Sequence, residues 1–86
     1  MSEIGNENER RAVPRHRVFK SGRLAFRGGG GIDCMVRNIS SSGARLDIAT
    51  PVGLPDSLML VIEADRFIRP CHAVWASEKR LGVAFD

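Results

Sequence analysis

From residue 17 onward, apolar and polar positions alternate in short runs separated by turn residues. The clearest run is 43–49, where Ala44, Leu46 and Ile48 alternate with Arg45 and Asp47, the period of two that marks a half-buried strand. Residues 57–63 set Leu58, Leu60 and Ile62 on one face and Met59 and Val61 on the other. Residues 17–27 and 32–39 read as two earlier strands, the first with a bulge or bend at Ser21-Gly22. Residues 67–77 form a long strand whose Pro70 predicts an edge or a bulge, and 80–85 the last strand. Turn chemistry fills the gaps: GGGG at 28–31, SSSG at 40–43, TPVGLPD at 50–56, a hairpin connection at 64–66 and EK at 78–79. Short strands with turn signals every 8–12 residues or so, and no helix period, predict an all-β fold. In so short a chain, closing the sheet protects the strand edges, so the expected architecture is a small six-stranded antiparallel β-barrel.

The chain has 86 residues, enough for one domain. Residues 1–9 read as a flexible tail and 10–86 as the barrel domain, which includes an arginine arm at 10–17; no C-terminal helix is evident. No apolar run approaches the roughly 18–20 residues of a membrane span. The opening MSEIGNENERR is polar and acidic before it turns basic, unlike a secretory signal, so the expected location is cytoplasmic. Cys34 and Cys71 are then expected as reduced, packed thiols. With His16 and His72 they show none of the paired spacings of zinc sites, and neither a metal nor a cofactor is expected.

Charge changes the picture. Residues 1–27 carry seven Lys or Arg against three acids, whereas 28–86 carry six against seven. The positive field therefore sits in the N-terminal third and points to an anionic partner there, such as a phosphate-bearing ligand, nucleic acid or a membrane surface. Catalysis is not expected. Cys34 and His72 lack local support as a pair, the serines at 40–42 lack a strand–turn–helix setting, and no Lys-Ser/Thr follows the glycines.

Two segments carry the candidate chemistry. Arg11-Ala-Val-Pro-Arg15 has the form RxxxR, and Asn38-Ile-Ser40-Ser-Ser-Gly43 the form (D/N)xSxxG, with a strand, a turn and a strand between them. Taken alone, the second segment is a serviceable strand-to-strand turn. In this order, and with the ending CHAVWASEKRLGVAFD, the pair resembles the PilZ domain family of bacterial cyclic di-GMP receptors. The resemblance implies a binding site at Arg10, Arg11, Arg15, Asn38, Ser40 and Gly43. Arginine forks suit the O6/N7 edge of guanine and phosphate oxygens. Asn38 and Ser40 would read the donor side of a guanine, and Gly43 would let the backbone approach without a Cβ. Asn38 stands where the family often has Asp, which keeps the acceptor and loses the charge. Arg10 fits members that take up a stacked ligand pair. The arm is expected to fold across the barrel mouth when ligand arrives, changing the surface seen by a protein target in trans.

Trp75 reads either as core packing or as a ligand contact; His72, Cys71 and Val74 read as barrel residues. All five aromatics fall in strand patterns where burial is the default. That leaves no stacking platform for the first alternative, a small basic barrel binding single-stranded nucleic acid. The second alternative is a PilZ-type adaptor that binds protein without ligand.

Overall fold

The computed structural model describes residues 16–49 and 53–86. These form β1 (His16–Phe26), β2 (Gly31–Ile39), β3 (Gly43–Asp47), β4 (Leu58–Ile62), β5 (Phe67–Ser77) and β6 (Arg80–Phe85). All pairings are antiparallel, and the strands close into a barrel in the order β1-β2-β3-β6-β5-β4. The predicted six-stranded barrel is the one observed, and β5 and β6 begin and end where the pattern placed them. Among the described residues there is no α-helix; the connection before β5 is a single 3-10 turn, Glu63–Asp65, closed by Arg66 in the left-handed region.

Inward positions of the alternation meet in one core. Leu24, Val36, Leu46, Leu60, Ile62, Cys71 and Leu81 are fully buried, joined by Cys34, Ile48, Leu58 and Val83. At roughly 25 cal/mol per Å² of apolar surface, burying side chains of this kind contributes on the order of 2 kcal/mol each against the entropy of ordering so short a chain.

Local details differ from the sequence expectation. Ser21 and Gly22 pair regularly with Met35 and Cys34, and the irregularity in β1 falls earlier, between Arg17 and Lys20. Gly22 is instead a point of close approach: a Cβ there would stand 3.1 Å from the Val61 carbonyl oxygen and 3.2 Å from Cys34 Sγ. Pro70 pairs with Met59 inside the closed barrel without a bulge. Its carbonyl accepts from Asp86 N at 3.0 Å, just past the end of β6. In an antiparallel strand a residue's N–H and C=O point to the same side, so the missing donor faces the place where the neighbouring strand has stopped.

The core thiols show how burial constrains chemistry. Desolvation raises Cys34 from 9.0 to about 12 and Cys71 from 9.0 to about 11, with Asp33 and Asp86 adding smaller repulsions respectively. Both stay protonated at neutral pH, which suits small packed hydrophobes. In the unfolded chain they ionise near 9, so above that pH the unfolded state binds fewer protons and stability falls. The loss should begin near pH 9 and continue towards the folded values, at about 1 kcal/mol per thiol by pH 10. Denaturant midpoints at pH 8 and pH 10 measure it, and Cys34→Ala with Cys71→Ala should flatten the difference.

Candidate functional site

Three register shifts break the barrel's pairing, and they converge on one row. On β2, Val36 pairs with Leu46 and Asn38 with Arg45, so Arg37 is an extra residue. On β1, Arg17 pairs with Asn38 and Lys20 with Val36, so Val18 and Phe19 together oppose Arg37. On β5, Ala73 pairs with Val83 and Trp75 with Gly82, leaving Val74 extra. The row Arg17–Asn38–Arg45–Gly82–Trp75 therefore runs across five strands. Because Ala44 and Leu46 pack into the core, Arg45 between them faces outward, and its row neighbours share that outer face.

Bulges re-aim side chains, and this is what they do here. The extra residue in β2 turns both Arg37 and Asn38 outward while Ile39 returns to the core. Arg37 caps the Phe19 ring at 5.3 Å and donates to Asp47 at 2.7 Å. Phe19 is 71% exposed, against the expectation that every aromatic is core; it belongs to the outward set of β1, five residues from buried Leu24, while Val18 packs inward. Val74 and His72 belong to β5 but are also exposed, and of the three expected barrel residues only Cys71 is buried.

Asn38 falls in the strand predicted over 32–39, as the penultimate residue of β2, and is buried at 9% exposure. The turn itself is Ser40–Ser42. Ser40 N donates to the Gly43 carbonyl at 2.9 Å, and Ser40 Oγ accepts from Ser42 N at 3.2 Å and Gly43 N at 3.3 Å. The hydroxyl thus builds the turn, the local bonding that places Ser at such positions. Gly43 departs from the expected reason for a glycine. The space of its missing Cβ is taken by the Val83 carbonyl oxygen of β6, so the bare Cα serves strand packing.

Asn38, Ser40, Gly43 and Trp75 line one cavity of about 230 Å³ on the outer wall beside this turn, not in the barrel mouth. Trp75 is 45% exposed, which sets aside the core-packing reading. Its pyrrole ring occupies the position where a Gly82 side chain would stand. An isolated glycine inside a strand signals such close approach, and Gly82 could have been singled out on that ground. Gly82→Ala should push the indole off the wall and shift the emission of this sole tryptophan to the red, which a fluorescence spectrum measures directly. Arg45 also lines the cavity and was not singled out, because only the register brings it beside Asn38. Arg10, Arg11 and Arg15 lie outside the described residues. His16 pairs with Ile39 and Arg17 with Asn38, so the described chain begins at the cavity's edge.

The chain matches the PilZ domain over residues 9–86, nearly its whole length. It belongs to the PilZ domain family. PilZ domains form a cyclic di-GMP-binding family rather than a catalytic one, and both motifs fall within the matched residues. No curated protein matches the chain. Among the described residues of this PilZ domain, no helix is long and apolar enough to cross a membrane, and no group of three or more His, Cys, Asp and Glu gathers as a metal would need.

Proposed function

We propose that this PilZ domain is a cytoplasmic receptor for cyclic di-GMP, with Arg10, Arg11, Arg15, Asn38, Ser40, Gly43 and Trp75 forming its site. The observation that carries the reading is the gathering of the second motif and Trp75 around one outer-wall cavity, at the end where the chain enters β1. Consecutive Cα atoms are about 3.8 Å apart, so Arg15 is anchored one peptide from His16, and Arg11 has a reach of roughly 18 Å from it. Both arginines of the first motif are thereby tethered beside the second. Arginine forks meet the guanine O6/N7 edge and the phosphates, and the Asn38 carbonyl accepts from the guanine N1–H or N2–H. Ser40 and Gly43 hold the turn that presents Asn38, and Trp75 offers a face for stacking.

In this reading the ligand orders residues 10–15 against the outer wall, and the altered surface acts on a protein target in trans. Arg10 favours a stacked ligand pair. Titration calorimetry of the intact chain with cyclic di-GMP tests the receptor: saturable heat is expected, with two ligands per chain for the pair. No heat would leave the protein-binding adaptor as the better reading. Amide exchange over residues 5–16 should slow on binding, and unchanged exchange would refute the ordering.

A further inference from the structure

The cavity contains one arginine that belongs to neither motif. Arg45 stands on β3 between Asn38 and Gly82 in the row, and Trp75 follows beyond Gly82. Its Nε–H is shut off from solvent and has no hydrogen-bond partner among the described residues. The next outward residue of its strand, Asp47, takes Arg37 on Oδ2 at 2.7 Å, while its Oδ1, 3.8 Å from Arg80, is likewise buried without a partner among the described residues. A buried donor on a charged group without an acceptor is costly, and such groups call for an explanation. An acceptor brought from outside the chain supplies one once the side chain turns out from the wall to meet it. Gly82 puts no side chain between Arg45 and Trp75, so a guanidinium and an indole pinned to the wall flank one short stretch of sheet.

We propose that Arg45 is a further guanine-discriminating residue of this site, meeting the O6/N7 edge of the base stacked on Trp75 while the arm's arginines meet the other base and the phosphates. The proposal rests on the cyclic di-GMP reading and adds to it a selectivity that does not depend on the N-terminal arm. Guanine offers two acceptors on that edge, whereas adenine places its N6 amino donor where O6 would be. A planar fork of donors pairs with the first and is opposed by the second. Because β3 is paired along both edges, the barrel itself holds this fork in place.

The test measures affinities of the intact wild-type chain, Arg45→Met and Arg45→Lys for cyclic di-GMP, cyclic di-IMP and cyclic di-AMP. A bidentate arginine–guanine pair contributes about 1–3 kcal/mol of discrimination. Arg45→Met should therefore bind cyclic di-GMP roughly ten- to a hundredfold more weakly. Cyclic di-IMP keeps O6 and N7 and should lose as much, while cyclic di-AMP should be unaffected. Arg45→Lys, which restores charge without the fork and is conservative enough to keep the fold, should recover little of the guanine preference. Equal losses for all three ligands would reduce Arg45 to a general positive charge and overturn the proposal, as would unchanged cyclic di-GMP binding in both variants. A wild-type chain that takes up no cyclic di-GMP would instead sink the receptor reading on which the proposal stands.

Discussion

Arg15→Ala is expected to bind cyclic di-GMP about ten- to more than a hundredfold more weakly than the wild type, with its melting temperature unchanged. A hydrogen bond to a charged group contributes roughly 1.5–3 kcal/mol, and Arg15 is tethered one residue before the cavity's edge. It precedes β1 in the chain, and the substitution leaves every described core side chain unchanged. Arg15→Lys separates the two parts of the effect. Lysine keeps the charge but presents a compact ammonium instead of a fork, and should recover only part of the loss. Calorimetry with thermal denaturation measures both quantities on the same samples. An Arg15→Ala chain that binds as tightly as the wild type would remove the first motif from the site.

Gly43→Ala should strike stability first. Its new methyl group would be driven into the Val83 carbonyl oxygen, a backbone atom of the neighbouring strand that no rotamer change can move aside. Forcing extra volume into packed structure costs roughly 1–3 kcal/mol, and a backbone collision belongs at the upper end. For a domain this small, about 3 kcal/mol lowers Tm by roughly 12–24 °C. Ligand affinity, measured below the new Tm, should fall much less than in Arg15→Ala. A variant that melts normally yet fails to bind would return Gly43 to the role the motif first suggests, access for the ligand.

These two substitutions also divide what the sequence discloses from what it hides. Alternation at Ala44, Leu46 and Ile48 was readable because each side chain's face follows from counting by twos. The barrel followed from six such runs, and the candidate site from two spaced motifs. Register was not readable, and with it went Arg45 and the true neighbours of Asn38. A bulge resets the count without any fixed residue signature, so Trp75, four residues from buried Cys71, emerged on the outer face although its strand was correctly placed. Gly43 was found for its motif, but the reason for it lies on β6, forty residues away in the chain. Proximity across a sheet leaves no trace in local composition.

The extra residue at Arg37 makes the direction of Asn38 a matter of phase. A regular, unbulged β2 of the same length would leave the loop's composition untouched yet carry Asn38, two residues from buried Val36, from the outer wall into the core. Insertions at the start of the glycine tract should be tolerated, since Gly28 and Gly29 have open space around their Cβ positions. Deleting Arg37 should instead restore regular alternation, keep Asn38 facing outward and remove the Arg37 contacts to Phe19 and Asp47. Anyone grafting this turn onto another hairpin must therefore move the whole span from Val36 to Leu46, because the six letters of the motif do not encode the half-turn that aims them.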